Sequence, residues 1–414
     1  MLLAADGVNY QQSISALNTD GLFSKYPGLF FQPAGYPLLI WTISLFGLIP
    51  ANLVVVLLQS SIHVLSVLFL YSRLQSTQFF KIAPFLFLIL MFNPILCMSA
   101  MNCGYESLVS SFTIVIAALL IASKKIEVRQ IILVFSILTV MILMNSRFLG
   151  VALITLIYFF SRTEITALRR SILLSGSACI LLPTLLLTFR NEIAVSVKSP
   201  ATNVGVTLNW GAGDNASGAH NIHGEFGVPC KTLTGSDSLL MGKSEIVATF
   251  FNLNALNTPA DVSDYDTKLR NCVIQWYRDN PSDFIRLFVS KSIFFFSPFT
   301  GPLSSGTFEI NNGFISKTNM ELEKLTKEGN QVNLTKFGYA AAYIALLFLC
   351  LIGVINLYRV DAGVTKFVLG ILTIQWLISA ISIGDNRFRI PAIPLVWIFA
   401  TYGLVILLEK KKVL

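Results

Sequence analysis

The sequence predicts an all-α protein that crosses a bilayer many times and holds one large polar segment between its helices. Three observations predict it. Of the 414 residues, 54% are hydrophobic and only 13% charged, about half the charged share of a soluble globular domain. That leaves too little polar surface to coat a water-soluble fold of this size. Runs such as Ala51–Leu70, Ile131–Met144, Ala342–Leu357 and Ile390–Leu408 are nearly free of charge and approach the ~20 residues a spanning helix needs. Several of them are apolar all round, whereas the helices of a large soluble protein carry polar faces. The net charge of +8 is spread over short clusters between the apolar runs, which is the pattern of topology signals and not of a nucleic-acid groove.

Spanning helices are expected at 51–73, 83–98, 106–123, 130–145, 148–161, 171–189, 336–358, 366–384 and 390–408, about nine in all. Their basic clusters test the count. Arg73 with Lys81, Lys124, Lys125 and Arg129, then Arg162, Arg169 and Arg170, then Arg359 with Lys366, and finally Lys410–Lys412 fall on alternate connections. All land on one side, which the positive-inside rule makes cytoplasmic. The C-terminus is then cytoplasmic, in a multi-pass protein of the inner (plasma) membrane. Segments 83–98 and 148–161 are short, and Pro94 and Pro183 are placed to kink their helices, which membranes tolerate.

This topology divides the chain into a first outer loop with amphipathic helices (1–50), a group of transmembrane helices (51–189), a large non-cytoplasmic loop (190–335), and C-terminal transmembrane helices with a basic tail (336–414). The 190–335 segment is rich in Gly, Asn, Ser and Asp and too long for a simple connector. It is expected to be of mixed structure, with a helix around Gln275–Tyr277 and Phe284–Phe296 and the apolar run Ile293–Phe296 on the membrane surface. Cys97, Cys103, Cys230 and Cys272 fall outside or at the outer interface, where disulfides persist, and Cys230–Cys272 is the favoured pair. Cys179 and Cys350 read as small buried membrane residues. No C-x-x-C metal pattern exists.

Three outer motifs carry chemistry. The first is Asp6-Gly-Val-Asn-Tyr10, followed by Phe31-Gln-Pro-Ala-Gly-Tyr-Pro37. An acid before an amphipathic stretch is suited to the lipid–water boundary, where it could take a proton from an acceptor hydroxyl. The plainer reading makes Asp6 an ordinary surface acid near a chain end. The second is Cys103-Gly-Tyr-Glu106-Ser107. Glu106 opens an apolar helix, either as a favourable first-turn charge or as a second acid of the same cavity, ordering an acceptor or holding a divalent cation. The third is Asp385-Asn-Arg387-Phe-Arg389-Ile-Pro391-Ala-Ile-Pro394. Two arginines one residue apart could fork a phosphate, or their side chains could snorkel to the interface. Arg147, after Asn145-Ser146, is another basic residue on the outer side and a candidate second phosphate contact. His220 and His223 read as loop residues, and His63 as a buried or interfacial one.

Taken in order, these motifs resemble those of the GT-C glycosyltransferases, closest to bacterial members similar to protein O-mannosyltransferases and lipid A aminoarabinose transferases. The resemblance rests on Asp6 with Tyr10, the Pro-rich entry Phe31–Pro37, Tyr105-Glu106-Ser107 and Arg387–Pro394. Asn209–Gly218 and Tyr277–Phe284 with Lys291 add to it. It implies a cell-envelope enzyme that moves a sugar from a polyprenyl-phosphate donor to a glycan, lipid or protein acceptor at the outer face of the membrane, usually with inversion. By carry-over Asp6 is the general base or acceptor-orienting acid, Glu106 a second site acid, and Arg387, Arg389 and Arg147 the holders of the donor phosphate. Tyr10 and Tyr36 position the acceptor or donor. The metal stays open, since some relatives use a divalent cation and others do not. The family begins with a membrane helix before the catalytic acid, and only Met1–Ala5 precede Asp6 here, so the expectation is either that an upstream helix is missing from this chain or that the chain is a degraded copy. The alternatives are an O-antigen-type polysaccharide polymerase or ligase, or a transporter or flippase.

Overall fold

A computed structural model describes residues 5–45, 51–121, 126–163, 165–213, 216, 259–296, 307–311, 314–318, 334–383 and 386–411. His220, His223 and Cys230 lie outside the described residues. The chain is an all-α membrane protein. Its helices in order are α1 (Ala5–Asp20), α2 (Gly28–Phe31), α3 (Gly35–Leu45), α4 (Ala51–Gln75), α5 (Ala83–Met91), α6 (Pro94–Ala100), α7 (Glu106–Ile121), α8 (Val128–Met144), α9 (Leu149–Ser161), α10 (Thr166–Val195), α11 (Val204–Trp210), α12 (Pro259–Asp279), α13 (Pro281–Phe296), α14 (Leu334–Val360), α15 (Ala362–Ile381) and α16 (Ile393–Lys411). Two 3-10 turns, Ser146–Phe148 and Asn386–Ala392, precede α9 and α16. One antiparallel hairpin, β1 (Thr307–Asn311) with β2 (Phe314–Thr318), pairs Thr307 with Thr318 inside the long polar segment.

Each expected span corresponds to helix, but length sorts them. Five stretches among the described residues are long and apolar enough to cross a membrane: Leu53–Gln75, Thr166–Val195, Ala341–Val360, Ala362–Ile381 and Phe388–Glu409. The pair α5 and α6 makes a sixth if taken as one broken span, bent by 50°. The break is written locally. The residue before a proline avoids helical geometry, and Asn93 Oδ1 then accepts from the amides of Ile95 and Leu96 at 3.1 and 3.2 Å to start α6. The helices Glu106–Ile121, Val128–Met144 and Ser146–Ser161 are apolar but shorter. At 16 residues α7 reaches about 24 Å, less than the ~30 Å hydrocarbon thickness.

The core forms around α7, which is buried along nearly its whole length and carries Ser107, Ser110, Ser111 and Thr113 inside. Small residues of this kind let helices approach closely. Close approach is most marked between α14 and α16, where a Cβ on Gly353 would sit 1.9 Å from the Phe399 carbonyl oxygen. The outward faces are apolar: Leu174, Leu185 and Phe189 of α10 and Ile344 and Phe348 of α14 are 60% exposed or more. Such a surface suits lipid and not water. His63 is buried on α4, its Nε2 3.2 Å from the Leu90 carbonyl oxygen.

Two ion pairs tie one end of the bundle. Arg162, after α9, meets Asp361, before α15, and Lys81, before α5, meets Glu409 at the end of α16 at 2.5 Å. The sequence pattern assigns these connections to one side, and the pairs bring them to one end. The opposite end carries the polar segment. There α10 runs past its expected end at 189, to Val195. Its Arg190 donates to the Leu22 and Leu29 carbonyls at 3.1 and 3.0 Å, and Thr202 donates its amide to Phe31 at 3.1 Å. The first segment is thereby strapped to the root of the large loop. In that loop α11 stacks on α12 through Val206, Leu269 and Val273. Asp266 Oδ1 accepts from the amides of Gly205 and Val206 at 2.7 and 3.1 Å, capping α11 from the neighbouring helix. Cys272 is disulfide-bonded, whereas Cys97, Cys103, Cys179 and Cys350 are free.

Candidate functional site

The sequence motifs that lie far apart along the chain converge at the polar end. Tyr10 on α1 packs edge-on against Tyr36 at the start of α3, ring centroids 4.9 Å apart, and against Tyr105 before α7 at 6.4 Å. The Tyr105 hydroxyl accepts from Asn145 Nδ2 at 2.9 Å. Asn145 Oδ1 in turn accepts from the Arg147 amide at 3.1 Å, opening the first 3-10 turn. The Arg147 guanidinium lies over three rings: Phe388 at 4.6 Å, Phe148 at 4.9 Å and Tyr105 at 5.4 Å. Phe388 belongs to the Arg387–Arg389 motif, so α1, α3, the α6–α7 turn and both 3-10 turns meet in one aromatic cluster.

Arg147 is the unusual member. It is 9% exposed, and none of its Nε, Nη1 and Nη2 atoms finds a hydrogen-bond partner among the described residues. A guanidinium brings five N–H donors, and burying a charge without a partner is costly. The three π faces return part of that cost, since each cation–π contact stabilises by about 0.5–2 kcal/mol, but they leave the in-plane donors unused. What such a cation fits is an oxyanion that accepts from the guanidinium fork.

Two other basic residues of the region, Arg389 and Lys291, are engaged. Arg389 donates from Nη1 to the Phe295 carbonyl at the end of α13 at 3.3 Å, and its side chain hydrogen-bonds Tyr343 of α14. It thus joins the loop to the C-terminal helices beside the cluster. Lys291 of α13 is buried and donates to Ser382 O, Tyr277 Oη and Ile381 O at 2.8, 3.1 and 3.2 Å. It caps the carbonyl end of α15, where a cation is favoured by the helix dipole. Burial nonetheless wins over these acceptors and brings its pKa down to about 7.

Glu106 is buried at the first turn of α7, and Gly104 accommodates it: a Cβ there would lie 2.5 Å from Glu106 Oε2. Burial pushes the neighbouring Cys103 thiol up to about 11, with the Tyr36 hydroxyl opposing the rise and the Glu106 carboxylate adding to it. Tyr36 is fully buried, and its hydroxyl donates to Gln59 Oε1 at 2.9 Å. Asp6 is on α1, four residues before Tyr10, and Arg387 is in the second 3-10 turn, two residues before Arg389; the side chains of both lie outside what the structure describes. Among the described residues no group of three or more His, Cys, Asp or Glu could hold a metal ion.

Gln59 and Arg190 escaped the sequence reading. A lone amide in an apolar run was the available signal for Gln59, because a buried polar residue in a membrane helix needs a partner. For Arg190 the signal was a cation at the end of an apolar run followed by Asn and Glu.

No family model matches this sequence, and no curated protein is significantly similar to it. Among solved structures, the chain is similar to the apo oligosaccharyltransferase of Archaeoglobus fulgidus, with a TM-score of 0.48 and 12% identity over 98% of this chain and 47% of that one. A second structure of that enzyme, tethered through a disulfide bond to an acceptor peptide containing the NVT sequon, gives 0.42 and 13% over 98% and 45%. The chain therefore spans about half the length of the solved structures it matches. A likeness this distant decides neither activity nor substrate, which rest on the residues themselves.

Proposed function

We propose that the protein is a membrane glycosyltransferase that moves a sugar from a polyprenyl-phosphate donor to a glycan, lipid or protein acceptor at the non-cytoplasmic face of the plasma membrane. The observation that carries this reading is Arg147: a buried guanidinium without a hydrogen-bond partner among the described residues, at the point where the outer motifs meet. A lipid-linked phosphate satisfies both halves of the site, with an anion for Arg147 and an apolar chain for the lipid-facing helices beside it.

In this reading the acceptor oxygen attacks the anomeric carbon from the face opposite the phosphate, so the new bond forms with inversion. The bond from the anomeric carbon to the phosphate oxygen breaks, and the electron pair leaves with the phosphate. Arg147 stabilises the charge growing there, which is worth more in a water-poor site than in water. Arg389 and Arg387 complete the basic side. Asp6 takes the proton of the acceptor, Glu106 orders the acceptor, and Tyr10 and Tyr36 form the wall behind them. The C-terminus lies in the cytoplasm in this reading, which the basic clusters support.

The test is transfer in membranes with a panel of polyprenyl-phosphate sugars, comparing wild type with Asp6→Asn, Arg147→Gln and Arg389→Ala. Transfer that fails in Asp6→Asn and Arg147→Gln supports the assignment. Wild-type turnover in all three variants refutes it.

A further inference from the structure

Gln59, in the first half of α4, is 0% exposed. All its bonding capacity points at one place. Oε1 accepts from Tyr36 Oη at 2.9 Å, and Nε2 donates to Ala100 O at 3.1 Å and Asn102 O at 2.7 Å. Both amide hydrogens are thereby used. Ala100 is the last residue of α6, where carbonyls lack partners within the helix. Asn102 opens the turn through Cys103 and Gly104 to Tyr105 and Glu106. The turn therefore hangs from α4 by two bonds to one side chain. That side chain is also tied to Tyr36, whose hydroxyl lies 3.9 Å from Cys103 Sγ.

We propose that Gln59 is a positioning residue that sets the Ala100–Glu106 turn, and through it the place of Glu106 and of the Tyr105 ring against Arg147. Tyr36 acts with it. Its hydroxyl faces Gln59 and its ring faces Tyr10, so it braces the turn from behind and does not reach a ligand. The activity arm of the test rests on the transferase reading; the structural arm does not.

Cys103 lies in the turn and is buried, as is Cys179 on α10 outside this network. Labelling of each by a neutral maleimide in intact membranes, followed peptide by peptide, reports the turn and the bulk fold separately. Gln59→Leu removes all three bonds and is expected to raise the Cys103 rate by about tenfold or more, as local opening without those bonds allows, with Cys179 unchanged. Tyr36→Phe removes the bond to Gln59 and the hydroxyl's contact with Cys103 Sγ and keeps the ring, so it should raise the Cys103 rate by about threefold. In transfer assays Gln59→Leu should lower kcat at an unchanged donor KM, since it displaces Glu106 and leaves Arg147 its phosphate. A Cys103 rate equal to wild type in Gln59→Leu overturns the proposal. If Cys179 labelling also rises, that variant has lost its fold and Tyr36→Phe decides in the same way, an unchanged Cys103 rate being the refuting result. Absence of transfer by the wild type with every donor defeats the transferase reading alone and leaves the labelling result standing.

Discussion

Replacing Arg147 by methionine should separate activity from stability. The methionine keeps an unbranched, shorter apolar chain beside Phe388, Phe148 and Tyr105 but removes the charge and the donors. On the folding side, the variant loses three cation–π contacts of about 0.5–2 kcal/mol each and escapes a desolvation penalty of several kcal/mol for a buried ion without a partner. The two nearly offset, so the thermal midpoint in detergent should hold or rise. On the binding side, two charge-assisted hydrogen bonds to phosphate are worth about 1.5–3 kcal/mol each. Their loss lowers kcat/KM by about two to four orders of magnitude. Arg147→Lys keeps the charge without the fork and should fall by about one to two orders. Added polyprenyl phosphate should raise the wild-type midpoint, by preferential binding to the folded state, and leave that of Arg147→Met unmoved. A variant with wild-type kcat/KM, or one that no longer folds, would refute the argument, the second because it would reveal a structural partner for the guanidinium.

Arg190 supplies the opposite case: with its donors on Leu22 O, Leu29 O and Asn191 Oδ1, Arg190→Met should cost about 3–5 kcal/mol by stranding buried acceptors, read as a lower unfolding midpoint and faster proteolysis after Leu22. Lys291 has a folded pKa near 7 against about 10.4 unfolded, so between those values the unfolded chain binds more protons and stability rises with pH. The burial penalty is complete below pH 7 and gone above 10.5, and Lys291→Met should flatten that rise in pH-dependent unfolding; a slope identical to wild type would refute it. In Gly353→Ala the new methyl meets the Phe399 carbonyl, backbone that cannot swing aside, so the α14–α16 contact should open at a cost of about 1–3 kcal/mol, measured by unfolding in detergent. Wild-type stability there would show that the two helices can separate freely.

Much of the fold is legible because its causes are local. Charge-free runs announce the helices, and Asn93-Pro94 announces the bend between α5 and α6. Helix ends are less legible. The Arg190-Asn191-Glu192 triplet reads as the exit of α10 from the membrane, yet the helix continues to Val195, with the Leu22 and Leu29 carbonyls satisfying Arg190 and the nearby Ser199 carbonyl satisfying Asn191. Span length misleads in a similar way. Three helices expected to cross, Glu106–Ile121 among them, are shorter than the hydrocarbon thickness, and α7 is enclosed by protein over most of its length. Its hydrophobicity reflects a protein core as much as a lipid one, and hydropathy does not distinguish the two.

The candidate site divides along the same line. Tyr10, Tyr36, Tyr105, Glu106, Arg147 and Arg389 stand out in the sequence by residue type and by their place at the ends of apolar runs. Composition and hydropathy settle that this is an all-α membrane protein, since those properties follow from each segment's own preference for lipid or water. Which polar groups are satisfied is a different matter. Arg147 and Arg190 look alike in sequence, each a cation at the end of an apolar run. They differ because carbonyls more than 160 residues away fold back onto Arg190, whereas among the described residues only aromatic faces reach the Arg147 guanidinium. A hydrogen-bond partner brought by the fold leaves no trace in the sequence around the residue it satisfies, so only the packed structure separates the structural arginine from the one proposed to bind an anion.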